Sequence, residues 1–511
     1  EDIAQVSANA PSLPGITADV GLSRRYPHGL DSAHIVGYVG PVSDYDLSRI
    51  EDPDPLLQIP RFQIGKTGIE TKTEHQLRGR AGTKRIEVNA TGRVMRELDR
   101  EESQPGQDLQ LTIDTKLQNF VQARLTGEAA SAVVIDCVTG DLLCIGSTPS
   151  FDPNLFVRGI SSKDYNALLN NKYRPFRNKA TQDVYPPGST FKMVTALAAL
   201  EAGVVTPEST VWCPGHLSVS RQRFHCWKRG GHGHMNMHEA LKQSCDVFFY
   251  DVCQQVGIDK IAEMARKLGL GVRHDLPLSA VENGLAPDRA WKLKTRGEDW
   301  RIGDTVNASI GQGDVLASPL QLAVMAARIA TGRSVEPRLI KTVDGRETEK
   351  RGGTRLDIPE SHLDAVRRAM FAVGNHRRGT AYRSRILDEA MKMAGKTGTS
   401  QVRRITADER RRGVTRNEDL PWERRDHALY VNFAPYDDPK IAVAVVVEHG
   451  GGGSKAAAPI ARDITLRALL GELPSLDHYP SGAHQKIAEI QERMAPFLTE
   501  FAPQYTTGSR T

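Results

Sequence analysis

The sequence predicts an α+β fold, with one antiparallel sheet and a helical lobe inserted into it. Two apolar runs flank a Thr-Gly-Asp turn in SAVVIDCVTGDLLCIGS (131–147), which predicts a β-hairpin. Two more strand candidates, HALYVNFAPY (427–436) and KIAVAVVVEHG (440–450), come late in the chain. Because strands at both ends enclose a helix-rich region, we expect them to share one sheet. The longer helices are predicted around 190–202, 237–255, 259–268 and 317–331.

Three segments are predicted along the 511 residues, since one core rarely supports a chain of this length. Residues 1–105 are polar and turn-rich, with a β-hairpin predicted at 79–98 and no convincing cluster of catalytic side chains. Residues 106–471 contain the predicted sheet and helices. Residues 472–511 form a tail that proline and serine interrupt, with one polar helix.

The composition is that of a globular protein, with 39% hydrophobic and 25% charged residues. The formal charge of +5 is spread along the chain, which suits an anionic neighbourhood such as a membrane surface or wall polymer and does not indicate nucleic acid. No run of 18 apolar residues and no signal peptide is visible. The chain starts at Glu1 without methionine, so we expect a segment upstream, removed by processing or by truncation.

A serine and a lysine lie one helical turn apart in VYPPGSTFKMVTALAALEAGVV (184–205). Two prolines and Gly188 make a stiff entry to the predicted helix, so Ser189 is expected at its positive N-terminal end. Lys192 projects onto the same face. Apolar neighbours would desolvate this lysine and lower its pKa, which lets it accept the serine proton. An N-cap serine followed by a solvated lysine is the structural alternative.

Two later motifs supply partners for this pair. KQSCDVFFYDV (242–252) offers Ser244 and Asp246 at the start of an apolar helix. MAGKTGTSQV (393–402) offers a Lys-Thr-Gly-Thr edge, Lys396 to Thr399, in a strand-like context. A cation and hydroxyls can hold a substrate carboxylate, and Gly398 lets a substrate backbone approach the strand. Each motif alone also fits a helix cap or a surface turn, whereas all three in this order form a specific constellation.

With these three motifs the chain resembles the penicillin-binding proteins and serine β-lactamases. The middle motif of that superfamily usually ends in asparagine, and Asp246 takes its place here, as in the elongation-type class B enzymes. Further stretches look like class B sequence: RYPHGLDSAHIVGYVG (25–40), IGKTGIE (64–70), STPSFDPNLFVRGIS (147–161), ASIGQGDVLASPLQLA (308–323) and NFAPYDDPKIAVAVVVEHGG (432–451). The resemblance covers roughly residues 20–470 and implies a transpeptidase domain on an elongated, non-catalytic N-terminal pedestal of the dimerisation type.

The resemblance implies a peptidoglycan D,D-transpeptidase that works through a serine acyl-enzyme. Ser189 would attack the carbonyl of the D-Ala–D-Ala bond of a stem peptide, and Lys192 would take the hydroxyl proton. Ser244 would relay a proton to the leaving amine, with Asp246 orienting it. An amine of a neighbouring stem then resolves the acyl-enzyme into a cross-link, and penicillin acylates Ser189 as a substrate mimic.

The Lys-Thr-Gly strand would bind the substrate. By the same resemblance, Lys396, Thr397 and Thr399 hold the terminal carboxylate, with Gly398 between them. The backbone N–H groups of Ser189 and Thr399 would form the oxyanion hole. No cofactor is needed for this chemistry.

The resemblance also implies a location and partners. We expect a single transmembrane helix before the pedestal, absent from this chain, with the catalytic domain in the periplasm at the inner membrane. A SEDS-type glycan polymerase and shape-determining proteins are the expected partners during cell elongation, besides stem peptides and β-lactams.

Two other functions stay open. A D,D-carboxypeptidase or β-lactamase would use water as acceptor, although no deacylating glutamate is recognisable. A non-enzymatic penicillin sensor or scaffold would only bind, although the intact set Ser189, Lys192, Ser244 and Lys396 counts against it.

A cysteine- and histidine-rich segment lies between the first two motifs. Cys213, Cys226, His232 and Cys245 predict a closed structural zinc site, because zinc prefers four sulfur or nitrogen ligands. A Cys213–Cys226 disulfide is the alternative in an oxidising compartment. His234 is a second histidine, expected to pack. The other three cysteines, 137, 144 and 253, are predicted to pack as small hydrophobes.

Residues 403–426, RRITADERRRGVTRNEDLPWERRD, are densely charged and follow the Lys-Thr-Gly strand. A solvated, mobile loop is the usual interpretation of such a run, and gating of a substrate or partner is the alternative.

Overall fold

A computed structural model of the chain describes residues 23–50, 54–59, 62–90, 94–403 and 405–498, together with residues 5, 6, 9 and 12. Its strands are β1 Val39–Pro41, β2 Gln63–Gly65, β3 Thr83–Val88, β4 Val94–Glu101, β5 Leu109–Leu111, β6 Ala130–Asp136, β7 Leu142–Thr148, β8 Thr210–Cys213, β9 His216–Val219, β10 Gln222–His225, β11 Gly233–Asn236, β12 Ile340–Val343, β13 Arg346–Glu347, β14 Ala394–Ser400, β15 His427–Ala434 and β16 Ile441–Val447.

The helices alternate with these strands and cluster between β7 and β14. They are α1 Ala33–Val36, α2 Asp44–Leu47, α3 Gly68–Lys72, α4 Glu74–Arg78, α5 Thr115–Leu125, α6 Asn154–Val157, α7 Ser162–Leu169, α8 Lys192–Glu201, α9 Met237–Lys242, α10 Asp246–Val256, α11 Ile258–Lys267, α12 Arg289–Arg296, α13 Ile302–Ala308, α14 Pro319–Thr331, α15 Glu360–Asn375, α16 Ala407–Arg412, α17 Ala457–Leu470 and α18 His484–Met494.

The central sheet is antiparallel, in the order β14-β15-β16-β6-β7. The two predicted strand groups therefore meet where β16 pairs with β6, with Val443 opposite Val134. Helix α14 covers one face of this sheet, while α5 and α17 cover the other. Because both faces are buried, the central strands read as continuous apolar runs instead of alternating ones. The predicted α+β architecture is confirmed.

The helical lobe lies between β7 and β14 in sequence and packs around α8. One predicted helix, 237–255, is wrong, since the chain forms α9 and α10 with a break between them. Ser244 has a left-handed backbone (φ 56°), which a continuous helix does not allow. Asp246 then begins α10 with the extended Cys245 as its N-cap residue. The break turns the backbone of Ser244 toward α8, where the site is assembled.

The N-terminal part is built from short elements and one long hairpin. β3 and β4 pair as predicted for residues 79–98, although residues 91–93 of the connection lie outside the described ranges. The part from Leu109 onward joins the catalytic region, because β5 pairs with β12 and the Asp108 N–H donates to Asp344 Oδ1 (2.8 Å). The boundary at residue 105 stays a prediction.

The tail contains the one polar helix that was predicted, α18, whose Ile487 and Met494 are buried in the cluster that α5 and α17 form. Residues 499–511 of the predicted tail lie outside the described ranges. Across the part of the chain that the structure describes, no helix combines the length and the apolar character needed to cross a membrane.

Candidate active site

Ser189 lies in a tight turn that contacts two other segments of the chain, at Gly311 and at Thr399. Residues Gly188–Phe191 form a 3₁₀ turn, and the α-helix begins only at Lys192, so the predicted helix start is shifted. Gly188 has φ 55°, and its N–H donates to Gly311 O (2.9 Å). A Cβ on Gly188 would lie 2.5 Å from Thr399 O. Glycine is therefore required for this turn to reach the β14 strand, and it brings Ser189 to the strand's edge.

Lys192 is fully buried, and its ammonium group has three partners. Nζ donates to the Asp246 carboxylate (Oδ1, 2.7 Å), to Ser244 O (2.9 Å) and to Ser244 Oγ (3.2 Å). A buried ammonium is tolerated only when an opposite charge and hydrogen bonds replace its water. Lys192 is desolvated, as the sequence predicts, and the compensating anion is Asp246, whereas its role as the base for Ser189 stays a prediction.

Asp246 joins the lysine to the cysteine-rich segment. Its second oxygen, Oδ2, accepts from the Trp227 N–H (2.9 Å). Burial raises the pKa of the Asp246 carboxyl, and the Lys192 charge opposes that rise. The indole Nε1 of Trp227 donates to Ser244 O (3.0 Å), which helps to hold Ser244 in its left-handed conformation. Sequence reasoning missed Trp227, whose one distinguishing mark was its position directly after Cys226.

Lys396 is fully buried behind the Lys-Thr-Gly edge. Its Nζ donates to Ser244 Oγ (2.9 Å) and to Thr397 O (2.9 Å), so the Ser244 hydroxyl lies between two lysines. Burial, followed by the Lys192 charge, lowers the pKa of Lys396 well below that of an ordinary lysine. The ammonium of Lys396 therefore faces Ser244 from within the protein.

The residues that follow Lys396 lie on the edge of strand β14 that faces the cleft. β14 is the edge strand of the sheet, and Thr397, Gly398 and Thr399 line the adjoining cleft. The expectation for Gly398 needs correction, because the space that its missing side chain leaves is taken by the chain itself. A Cβ there would lie 2.9 Å from both Pro187 O and Thr190 Cγ2. The glycine lets the serine turn, instead of a substrate backbone, approach the strand.

Two cleft residues that sequence reasoning missed support this strand. Thr380 Oγ1 is 2.7 Å from Thr397 Oγ1, and Gln312 Nε2 donates to Thr399 O (3.0 Å). The cleft has a volume of about 1650 Å³ and also exposes Ser189, Ser244 and Asp246. A groove of this size, with a nucleophile at an edge strand, can hold an extended peptide.

The four predicted metal ligands come together beside the site. Their ligand atoms all lie within 4.8 Å of one another, at Cys213, Cys226, His232 and Cys245. His232 Nδ1 is 3.6 Å from Cys213 Sγ and 3.5 Å from Cys226 Sγ. Three sulfurs and one imidazole nitrogen are a donor set that fits a closed tetrahedral zinc site.

Hydrogen bonds within the cluster favour the thiolate form of Cys226. A hydrogen bond with Cys245 lowers the pKa of the Cys226 thiol and raises that of Cys245. Cys226 Sγ also accepts from the Asp246 N–H (3.4 Å). The cysteines are free, so the alternative Cys213–Cys226 disulfide is not formed. His234 lies outside the cluster, against Trp212, as expected for a packing histidine.

Of the remaining predictions, the one for the other three cysteines is confirmed, and the one for the charged segment needs revision. Cys137, Cys144 and Cys253 are buried among apolar side chains, as expected for small hydrophobes. The charged segment 403–426 is more than a solvated loop, because part of it folds over the cleft. The cleft-lining residues of this segment are Ile405, Arg410, Arg411, Val414 and Asp426.

Comparison with known proteins identifies the family. A model of the penicillin-binding protein transpeptidase domain matches residues 130–466, and one of the penicillin-binding protein dimerisation domain matches residues 1–111. The peptidoglycan D,D-transpeptidase MrdA of Escherichia coli K12 is 38% identical over 480 residues, which cover 92% of this chain and 75% of the relative.

Two solved structures are similar over nearly the whole chain. A complex between penicillin-binding protein PBP2 and MreC from Helicobacter pylori matches with a TM-score of 0.80 and 33% identity, covering 92% of this chain and 83% of the other. The second match is to a structure of a peptidoglycan synthase complex that concerns the structural coordination of polymerization and crosslinking. Its TM-score is 0.76 and its identity is 30%, and the match covers 93% of this chain and 80% of the other.

The chain belongs to the penicillin-binding-protein transpeptidase family. It is a serine-type peptidoglycan D,D-transpeptidase, which confirms the predicted family, fold and activity against the hydrolase and sensor alternatives.

Trp227→Phe should slow acylation by a reporter penicillin by up to about tenfold, because it removes a hydrogen bond worth about 1 kcal/mol that holds Ser244. The rate constant for acylation should fall while the thermal midpoint changes little. Trp291→Phe, on α12 away from the cleft, is the matched control. A wild-type rate in Trp227→Phe would contradict a positioning role for the indole N–H.

Proposed function

We propose that Ser189 is the nucleophile that forms the acyl-enzyme. Ser189 Oγ attacks the carbonyl of the D-Ala–D-Ala bond, an O–C bond forms, and the C–N bond to the terminal D-Ala breaks. The proton of the serine hydroxyl leaves with the amine of that D-Ala. An amine of a second stem peptide then displaces Ser189, which recovers its proton. The observation that carries this assignment is the Ser244 hydroxyl held between Lys192 and Lys396 beside the Ser189 turn.

The proton route in this proposal runs through the buried polar network. Lys192 acts as the base in its neutral form, after the ammonium that pairs with Asp246 has lost a proton to water in the cleft through the Ser244 hydroxyl. It then takes the Ser189 proton, and Ser244 passes that proton from Lys192 to the leaving amine. Lys396 supports the relay from the other side of Ser244, since its buried Nζ bonds the same hydroxyl as Lys192 does. Asp246 keeps Lys192 in place, which accounts for an aspartate in the middle motif.

Substrate binding in this proposal falls on the cleft side of β14. The hydroxyls of Thr397 and Thr399 contact the terminal carboxylate, while Lys396 contributes its charge from behind them. The backbone N–H groups of Ser189 and Thr399 form the oxyanion hole, an arrangement often worth several kcal/mol to the transition state.

A fluorescent penicillin should label wild-type protein and fail to label Ser189→Ala, because the mutant lacks the attacking oxygen. Ser454→Ala removes a second serine hydroxyl from the wall of the same cleft and should label normally. Intact-mass analysis of the adduct measures both. Labelling that survives in Ser189→Ala would overturn the nucleophile assignment.

We also propose that zinc occupies the Cys213, Cys226, His232 and Cys245 cluster and braces the site. Two ligands are followed directly in sequence by the bonded pair Trp227 and Asp246, so fixing the sulfurs fixes the partner of Lys192. Four protein ligands leave no open position, which excludes this zinc from polarising the substrate.

Protein purified without chelator should contain about one zinc per chain by elemental analysis, because the cluster offers four ligands. Cys226→Ser should lose most of the zinc, whereas Cys253→Ser, a buried cysteine outside the cluster, should retain it. Absence of zinc together with a Cys213–Cys226 disulfide in the peptide map would refute the site.

We propose that the protein works in cell elongation, anchored by an N-terminal helix in the inner membrane with its catalytic domain in the periplasm. The similarity to the PBP2–MreC complex and to the peptidoglycan synthase complex supports a shape-determining protein and a glycan polymerase as partners. The pedestal hairpin leaves Ile86, Met95 and Leu98 exposed, which suits a protein contact. Failure of the membrane-anchored protein to co-purify with either partner would contradict this.

A further inference from the structure

One wall of the active-site cleft is strongly basic. We call it the basic wall, and it consists of His216, Arg223, His225, Arg229, Arg410 and Arg411. These side chains come from two segments far apart in sequence, the region around the β9–β10 hairpin and the charged segment after β14. The two segments line the same cleft as Ser189 and Thr397.

The hairpin supplies its basic side chains through strand alternation. Ser220 and Arg221 form a tight turn with left-handed backbone (φ 48° and 69°), which sets the register of β9 and β10. Arg223 and His225 are alternate residues of β10, so both point to one face, and both are exposed. All four residues of β10 line the cleft, so Arg223 and His225 share it with Gln222 and Phe224. Cys226, next in sequence, is buried in the metal-ligand cluster.

The charged segment is folded against the cleft by an ion pair of its own. Both terminal nitrogens of Arg403 bond the Glu409 carboxylate at 2.6 Å, and the Glu409 carboxylate also accepts from the Thr415 N–H (3.2 Å). This clasp places the next residues of α16, Arg410 and Arg411, in the cleft wall.

The positive charge of the basic wall is partly compensated, because Arg411 pairs with Asp408. Among the described residues, Arg223, Arg229 and Arg410 have no ion pair. The two carboxylates that line the cleft are already engaged, Asp246 with Lys192 and Asp426 with the Val402 N–H and the Asn417 amide.

We propose that the basic wall is an anion subsite that binds a carboxylate of the stem peptide other than the one at its D-Ala–D-Ala end. Guanidinium groups pair with carboxylates bidentately, and the guanidinium groups of the basic wall line the cleft that holds the nucleophile. The inference rests on the proposed function and adds a selectivity to it: a stem with free carboxyl groups binds better than its carboxamide form.

A competition experiment on the intact protein separates this subsite from the acylation chemistry. Two soluble pentapeptides end in D-Ala–D-Ala and differ only in whether their upstream carboxyl groups are free or amidated. Each is tested for slowing the acylation of Ser189 by a fluorescent penicillin. We expect the free-acid peptide to inhibit at about threefold to tenfold lower concentration, with the ratio falling at high salt.

Variants of arginines inside and outside the basic wall test whether the wall causes the difference between the two peptides. Arg223→Gln and Arg410→Gln should bring the ratio close to one, whereas Arg221→Gln and Arg412→Gln, neighbours outside the cleft wall, should keep it. Arg221→Gln and Arg412→Gln should react with penicillin alone at the wild-type rate, and the inhibition of every variant is measured against its own rate without peptide. Equal inhibition by both peptides in wild type, or an unchanged ratio in Arg223→Gln and Arg410→Gln, would overturn the subsite. Absence of any acylation of wild type would instead overturn the nucleophile assignment.

Discussion

The buried ion pair between Lys192 and Asp246 is the interaction on which the rest of the site depends. Moving two charges out of water costs several kcal/mol for each ion, and only close pairing with further hydrogen bonds offsets that cost. The pair meets this condition because Ser244 and Trp227 supply the remaining partners. The lysine is therefore ordered beside the nucleophile's turn, and three separate chain segments are joined at one point.

The Lys192–Asp246 pair also connects the cysteine cluster to the active site. Cys226 and Cys245 each precede a residue of the network, Trp227 and Asp246. A displacement of the cluster would move both ends of the hydrogen bond that holds the carboxylate. The left-handed backbone of Ser244 is unfavourable for a residue other than glycine. It is retained because Lys192 and Trp227 both bond the Ser244 carbonyl.

Much of the architecture could be predicted, since apolar strands and apolar helices have distinct periods. The sheet follows from apolar patterning, and the order of residue types led to the three motifs and to the four cysteine and histidine side chains that the structure brings together. The helix start near Asp246 was predicted with the middle motif, although the predicted span 237–255 ran across it. The left-handed backbone of Ser244 could not be predicted, because it forms with tertiary contacts to Lys192. Trp227, Thr380 and Arg410 were missed for a related reason: they reach the cleft from segments whose local pattern carries no chemistry. The space beside Gly398 was misassigned, since sequence does not show which backbone fills it.

Lys192 and Asp246 stabilise each other as buried charges, and a double-mutant cycle measures the free energy of this coupling directly. Lys192→Met and Asp246→Leu are compared singly and together by urea unfolding of the catalytic domain. Each single change should lower the free energy of unfolding by about 3–5 kcal/mol, because it leaves one buried charge unpaired. The double change should cost about 2–3 kcal/mol less than the sum of the two. Additivity within about 0.5 kcal/mol would contradict the account.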